Sequence, residues 1–415
     1  MGENANLREG CSGSRVASSI RGIEVKRQIT HRNILLLSCA ANFLVGTYVS
    51  SIGPLLLPIS RSFQLPISQL ALPVSLRSAG FLAACIAVSA LWRVKRARVL
   101  LGASVAIFFA SLLLLSLGTQ HLVFVLSLFV TGGIGLGISM AGFNSFISEI
   151  SSYRTRAKNL SLLSVFFGIG AVIGPLLVAV LLGQGAQWPA FYLVLACGAG
   201  VLLVLVSRKH LFEVILPGDQ QVHHSTGSSV PMRHASFWIV AIAYLFVVSS
   251  QVCFFSLAPA FLSEVRGLTE LLGSLSISLF WVSMVIGGLL YFYVLSRGNL
   301  VLMVLVGAGG TAAFTFIAAL SHQPWPILLM IACSGLFYSY LVPALISLVS
   351  TLFPLRIGSA TGGLMATGGM GNIVFPFVIS LMAGSIGFEY SFLIIPVLSL
   401  FSLIMVSVFR KTLSG

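Results

Sequence analysis

Residues 69–98 read QLALPVSLRSAGFLAACIAVSALWRVKRAR, a long apolar run that ends in a short gap with Arg93, Lys95, Arg96 and Arg98. A helix needs about 20 apolar residues to cross the hydrocarbon core of a bilayer. Similar runs cover most of the chain, which is 57% hydrophobic and 8% charged. We number them as spans 1 to 12, at about 34–60, 69–92, 99–119, 122–148, 159–183, 188–207, 235–262, 271–295, 300–320, 325–352, 358–384 and 390–409.

The basic residues fall in alternate gaps between the spans. Of the 23 Lys and Arg residues, 20 lie before span 1, at 93–98, 154–158 and 208–233, at 297 and 356, or after span 12. The opposite gaps hold only Arg61 and Arg266. Cytoplasmic loops of membrane proteins carry this excess of positive charge. The sequence therefore predicts an all-α membrane protein with twelve transmembrane helices and both termini in the cytoplasm.

Composition limits the partners and cofactors. The net charge of +14 lies in membrane-flanking loops, where contact with anionic lipid headgroups explains it, so we expect no nucleic acid. The six cysteines show no metal-ligand or redox spacing. With no nucleophile, paired acid or metal cluster, we expect neither an enzyme nor a cofactor. The expected partners are the lipid bilayer and a small-molecule substrate, bound by a monomer.

A polar segment divides the chain into two halves. We predict a cytoplasmic tail at 1–33, a six-helix half at 34–207, a linker at 208–234, a second half at 235–409 and a cytoplasmic tail at 410–415. Two sets of residues recur across the linker at offsets of 205 and 201: Pro54 and Arg61 with Pro259 and Arg266, and Gly170, Pro175 and Gly183 with Gly371, Pro376 and Gly384. Such a repeat indicates halves related by a pseudo-two-fold axis along the membrane normal.

Three short motifs lie at corresponding places in a known family. The stretch 88–96 reads VSALWRVKR, residues 149–157 contain an acid followed by Arg154 and Arg156, and residues 170–175 read GAVIGP. Together with the twelve spans they resemble the major facilitator superfamily over about residues 34–409. The first motif departs from that family's G-x-x-x-D-R-x-G-R-R loop, because both glycines and the aspartate are missing.

The resemblance implies roles for the loop charges and for the helix breakers. It suggests that Arg93, Arg96, Glu149 and Arg154 form a gate on the cytoplasmic side. Glycine and proline allow close helix approach and bending, so the helix-bend candidates are Gly170, Gly174, Pro175, Gly371 and Pro376. Tight packing without movement is the alternative for each glycine.

Arg77 is the one charged residue within the body of a span. It lies about eight residues into span 2, roughly 12 Å deep at 1.5 Å per residue. A charge at that depth costs at least about 2.5–3.5 kcal/mol and usually faces a polar cavity. Arg77 is therefore a candidate anion receptor, because a guanidinium binds carboxylate or phosphate at two points. The alternatives are an ion pair with Glu264, Glu270 or Glu389, or bonds to backbone carbonyls.

Further substrate-binding candidates follow from the resemblance. The family lines its central pathway with spans 1, 4, 7 and 10, and polar groups in hydrocarbon face protein or water. The candidates are Asn42, Thr47, Tyr48, Asn144, Gln251 and Tyr338, with Ser250 and Tyr340 beside them. Helix-to-helix hydrogen bonding is the alternative for each. Phe280 and Trp281 could wall the pocket, although packing or lipid contact is favoured for them.

We therefore predict a secondary active or facilitative transporter that moves a small organic solute by alternating access, with an anion favoured. No Asp, Glu or His lies in the body of a span, which favours facilitated diffusion or exchange over proton symport. The alternatives are an efflux antiporter for drugs or metabolites, suggested by the Gly-Pro of span 5, and a non-transporting sensor on the same fold. We expect the protein in a bacterial inner membrane.

Overall fold

The computed structural model describes residues 32–91, 97–118, 121–151, 153–208, 233–290, 299–353 and 357–409. These residues contain twelve helices long and apolar enough to cross a membrane and no strand. The predicted all-α, twelve-span fold is thus confirmed. In order, the spans are Arg32–Ser50 with Ile52–Ser62, Leu72–Leu91, Ala97–Ser116, Leu122–Ile150, Tyr153–Gly183, Pro189–Ser207, Ala235–Glu264, Glu270–Leu290, Leu300–Leu320, Pro324–Leu352, Ile357–Ile386, and Phe388–Phe392 with Ile394–Val408.

Spans 1 and 12 are each broken, which the continuous apolar runs did not predict. Span 1 is interrupted at Ser51 and span 12 at Leu393. In both cases a proline, Pro54 or Pro396, lies three residues further on. Proline has no N–H and leaves the carbonyl four residues earlier without its helical donor. Ser51 and Leu393 themselves keep right-handed helical dihedral angles, so each interruption is a local loosening of one turn.

Helix packing follows the same scheme in the two sets of six spans. Span 2 packs against span 4, and spans 3 and 4 and spans 3 and 6 are in contact. The equivalent pairs of the second set, spans 8 and 10, 9 and 10, and 9 and 12, are also in contact. Between the sets, span 1 meets span 7, span 2 meets span 11 and span 5 meets span 8. The predicted domain boundaries stay predictions, since 209–232 and both tails beyond 32 and 409 lie outside the described residues.

One end of the bundle carries residues 61–71, 264–270 and 384–389, and we call it the Arg61 end. Small residues bring the two halves together toward this end. A Cβ added at Gly53 of span 1 would lie 2.2 Å from the carbonyl oxygen of Phe255 in span 7. A Cβ at Gly384 of span 11 would lie 2.8 Å from the Cβ of Ser68. Only glycine permits such a close approach of the two halves.

Candidate transport pathway

The Arg61 end is closed by polar contacts between the halves. Arg61, at the end of span 1, donates to Glu264 at 3.0 Å and to Glu270 at 2.5 Å. Ser380 of span 11 donates to the carbonyl oxygen of Ile67 at 2.5 Å and accepts from the N–H of Ala71 at 3.2 Å. These contacts join the start of span 2 and the end of span 1 to spans 7, 8 and 11. A path between the halves is therefore shut at this end.

Arg266, which matches Arg61 in the internal repeat, makes a different set of contacts. Its side chain is 3% exposed and donates to Glu389 at 2.7 Å. It also donates to the carbonyl of Ala319, and its guanidinium carbon lies 5.1 Å from the ring centre of Phe261. All of these partners belong to the second half. Thus Arg61 links the two halves, whereas Arg266 ties together spans 7, 9 and 12 of one half.

Arg77 lies in the interior of the first half, with 5% of its surface exposed. One guanidinium nitrogen donates to the carbonyl oxygen of Val49 at 3.2 Å. The guanidinium carbon is 5.8 Å from the ring centre of Tyr48. Of the alternatives considered from sequence, a bond to a backbone carbonyl is present. Glu264, Glu270 and Glu389 instead contact Arg61 and Arg266. The role of Arg77 as an anion receptor stays a prediction.

The other predicted binding residues are divided between helix-internal bonds and contacts between helices. Asn42 and Thr47 are buried and donate to carbonyls one turn earlier in span 1, those of Ser38 and Phe43. Such bonds satisfy a polar group without any ligand. Asn144 is half-buried in span 4. None of these observations tests a substrate contact.

Two candidates of the second half contact neighbouring helices. The amide nitrogen of Gln251 lies 3.2 Å from the sulfur of Met284 in span 8. The hydroxyl of Tyr338 in span 10 lies 2.6 Å from that of Ser250 in span 7, which also donates to the Ile395 carbonyl of span 12 at 2.8 Å. Tyr340 is buried beside Gly307. Tyr338 and Ser250 therefore hold three helices of one half together.

The glycines proposed as bend residues lie at close helix contacts. A Cβ added at Gly170 would lie 2.1 Å from the Phe43 carbonyl oxygen, and a Cβ added at Gly174 would lie 2.5 Å from the Thr47 carbonyl oxygen. A Cβ added at Gly371, which repeats Gly170, would come within 2.0 Å of the Ser249 hydroxyl in span 7. Spans 5 and 11 thus approach spans 1 and 7 in the same way. Pro175 and Pro376 lie inside the helices of spans 5 and 11; whether the helices bend there during transport stays a prediction.

The predicted cytoplasmic gate falls on parts of the chain that the structure does not describe. Arg93 and Arg96 lie outside the described residues. Glu149 and Arg154 belong to the helices of spans 4 and 5, but their side chains are also outside what is described. The gate therefore stays a prediction.

Two contacts between the six-helix halves were not predicted from the sequence. One is the ion-pair cluster of Arg61, because its acids lie 203 and 209 positions away. The other is the set of partners of Trp281, a residue for which packing or lipid contact was favoured: it is 7% exposed and packs against Phe167 of span 5 and Phe255 of span 7 at ring-centre distances of 5.9 and 5.6 Å. Trp281 thus packs where the two halves meet.

A cavity of about 340 Å³ lies beside the Arg61 cluster. Its lining includes residues of both halves, namely Leu57, Ser60, Arg61, Gln64, Leu65, Ile67, Leu70, Glu264 and Phe388. Because the cavity straddles the seam between the halves, its shape depends on how they are positioned at this end.

Twelve spans, packed alike in two sets of six and joined along a seam that is shut at one end, define a membrane transporter for small solutes. The chain belongs to the Major Facilitator Superfamily, whose family model matches residues 38–331 and 240–414. The protein is therefore a multi-pass integral membrane protein.

Relatives and solved structures are similar over most of the chain. A "Protein TsgA homolog" of Enterobacter sp. (strain 638) is 25% identical over 310 residues, 74% of this chain and 76% of that protein. The crystal structure of a D-xylose-proton symporter superposes with a TM-score of 0.75 at 17% identity, covering 90% of this chain and 96% of that one. A bacterial homolog of the human lysosomal transporter Spinster, in an inward-facing and unoccupied conformation, has a TM-score of 0.74 at 16% identity and covers 94% and 98%.

Proposed function

We propose that this transporter carries a small organic solute, with an anion favoured, and that the Arg61 end faces the outside of a bacterial inner membrane. The observation that carries the proposal is the closure of the seam by Arg61, Glu264 and Glu270. In alternating access one end must be shut while the other admits the solute. The conformation described here corresponds to a carrier closed to the outside.

The orientation rests on the distribution of charge. Span 2 begins at the Arg61 end and ends at Leu91, so the described helix ends that flank the basic gaps at 93–98, 154–158 and 208–233 lie at the opposite end of the bundle. Cytoplasmic loops are enriched in Lys and Arg, so we place both termini in the cytoplasm. Arg93, Arg96, Glu149 and Arg154 would then close the cytoplasmic side when the Arg61 end opens, with the outer and inner charge clusters alternating.

The positions of the acidic residues bear on whether transport is coupled to protons. Proton-driven carriers hold a titratable group within the bundle. Here Glu264, Glu270 and Glu389 lie at the Arg61 end, and each contacts an arginine there. We therefore favour exchange or facilitated diffusion over proton symport.

Counterflow in proteoliposomes tests the function. A thermal-shift panel of monocarboxylates, dicarboxylates, sugars and nucleosides on the purified protein selects compounds that stabilise it by binding. Each stabilising compound, radiolabelled outside and unlabelled inside, should accumulate transiently, and an imposed pH gradient should leave its rate unchanged. Uptake that requires the gradient contradicts exchange. A compound that stabilises the protein and shows no counterflow or uptake supports the sensor alternative.

A further inference from the structure

The guanidinium of Arg77 is buried with little compensation. It has five N–H donors, and its one hydrogen bond to a described residue goes to the Val49 carbonyl at 3.2 Å. No carboxylate of the described side chains is paired with it, since Glu264, Glu270 and Glu389 are engaged by other arginines. Besides the bond to Val49, the guanidinium carbon lies over the Tyr48 ring at 5.8 Å, a cation–π contact. Proteins normally provide a buried charge with a counter-charge or several hydrogen bonds.

Two phenol groups beside Arg77 are also uncompensated. The hydroxyls of Tyr48 and Tyr192 are buried, and neither has a hydrogen-bond partner among the described residues. The Tyr48 ring lies 5.8 Å from the guanidinium carbon and 6.4 Å from the Tyr192 ring. Tyr48 therefore lies between Arg77 and Tyr192 as a neighbour of both. Three polar groups from spans 1, 2 and 6 therefore meet in one place, and all three have hydrogen-bond donors to offer.

We propose that Arg77, Tyr48 and Tyr192 form a binding site for a single anionic group inside the first half. Guanidinium N–H groups only donate, and a phenol can turn its O–H toward an acceptor. A cluster of donors around a fixed positive charge is satisfied by an acceptor that carries negative charge, and charge-assisted bonds are the strong ones. This inference adds Tyr192, which no sequence pattern indicated, to the predicted pair of Arg77 and Tyr48.

Two glycines of span 4 pack beside Arg77 and Tyr48. A Cβ added at Gly132 would lie 3.0 Å from the Tyr48 hydroxyl. A Cβ at Gly133 would lie 2.1 Å from the Arg77 carbonyl oxygen, so spans 2 and 4 are also in close contact here. Larger residues at these positions would push against the hydroxyl or separate the helices. Gly133 thus lets spans 2 and 4 approach at the Arg77 backbone, and Gly132 leaves space for the Tyr48 hydroxyl.

The ligand is a small monovalent anion, of carboxylate or halide type. The planar guanidinium can bind a carboxylate at two points, and a phenol hydroxyl can donate to either oxygen. The bound anion has two candidate sources: a resident inorganic ion, or the carboxylate of the transported solute. The second source rests on the proposed function, whereas the first does not.

The melting temperature of the purified full-length chain, titrated with sodium formate and with sodium chloride at constant ionic strength, tests the site. We expect a saturable rise in the wild type, because a ligand that binds the folded state stabilises it. Arg77→Gln should weaken the apparent affinity about 10- to 150-fold, and Tyr48→Phe or Tyr192→Phe about 2- to 12-fold each. Tyr244→Phe, which removes a buried phenol of the second half beside Gly368, should leave the anion response unchanged.

The outcomes separate the site from its alternatives. The proposal would be overturned if the wild type, Arg77→Gln and Tyr192→Phe all showed the same melting-temperature response to formate and the same response to chloride, whatever the variants' own stabilities. If Arg77→Gln does not fold, the melting-temperature responses of the nearly isosteric variants Tyr48→Phe and Tyr192→Phe to the two anions test the site instead. Displacement of chloride by a solute that shows counterflow identifies the solute's carboxylate as the ligand, and chloride binding without displacement identifies a resident ion. Anion binding without any transport would leave the site standing and contradict the proposed function alone.

Discussion

Replacing Gly53 by alanine should hold the Arg61 end open. The new Cβ would lie 2.2 Å from the Phe255 carbonyl oxygen and 3.0 Å from that of Ser256, both in span 7. Backbone atoms cannot turn aside, so spans 1 and 7 must separate by about 1 Å or more to reach ordinary contact distance. Separation would strain the Arg61 bonds to Glu264 and Glu270. When the halves are apart at this end, the methyl group is harmless.

The conformational equilibrium should therefore move toward the state open at the Arg61 end. Overpacking typically costs about 1–3 kcal/mol, which corresponds to about a 5- to 150-fold shift. The measurement is the labelling rate, by a membrane-impermeant maleimide, of a cysteine at position 70, because Leu70 lines the cavity at the Arg61 end and is 3% exposed. Faster labelling in Gly53→Ala is expected, and an unchanged rate would count against closure by spans 1 and 7.

Two other glycines provide matched controls. At Gly46, also in span 1, an added Cβ would lie 2.1 Å from the Phe167 carbonyl oxygen. That clash is as severe, but span 5 belongs to the same half, so Gly46→Ala should lower stability without favouring the open end. Gly183 has no heavy atom within 4 Å of its added Cβ, so Gly183→Ala should change neither property.

Replacing Arg266 by glutamine should destabilise the fold, whereas the same change at Arg61 should not. The side chain of Arg266 is 3% exposed and donates to Glu389 and to the Ala319 carbonyl. Losing hydrogen bonds to a charged group costs about 1.5–3 kcal/mol each, but Glu389 is 48% exposed and stays hydrated. We expect a loss of about 2–3 kcal/mol in the free energy of unfolding, measured as a lower melting temperature.

Arg61 is the control that the internal repeat supplies. It is 58% exposed, and each acid partner is 37% exposed. Ion pairs in water contribute about 0–1 kcal/mol, so Arg61→Gln should change the melting temperature little. Its effect should be on the conformational equilibrium, because its partners are in the other half. Equal losses of stability in Arg61→Gln and Arg266→Gln would contradict the division of roles between the two residues.

The spans were predictable because a bilayer imposes one length and one composition on every helix that crosses it. The close helix contacts at Gly170 and Gly371 were also indicated by the sequence, since these glycines occupy equivalent positions in the internal repeat. The interruptions near Pro54 and Pro396 could not be read from proline alone, because Pro175, Pro259 and Pro376 lie inside uninterrupted helices. Each interruption lies in an apolar run long enough to count as a single span.

The polar contacts were less predictable, because they join residues far apart in sequence. Arg61 was recognised as a repeat of Arg266, but the two differ in their acid partners, and only three-dimensional packing determines which acid each one meets. Tyr192 lies in an apolar run where a tyrosine carries no periodic signal. Its importance depends on its position beside Tyr48 and Arg77.

Spin-label distances across the two ends of the bundle test the central claim of alternating access most directly. With the six native cysteines replaced, one pair of labels at 69 and 390 spans the Arg61 end, and another at 207 and 351 spans the opposite end. We expect two populations of distances at each end, with Gly53→Ala lengthening the first distance and shortening the second. A single distance at each end, the same in wild type and in Gly53→Ala, would contradict alternating access.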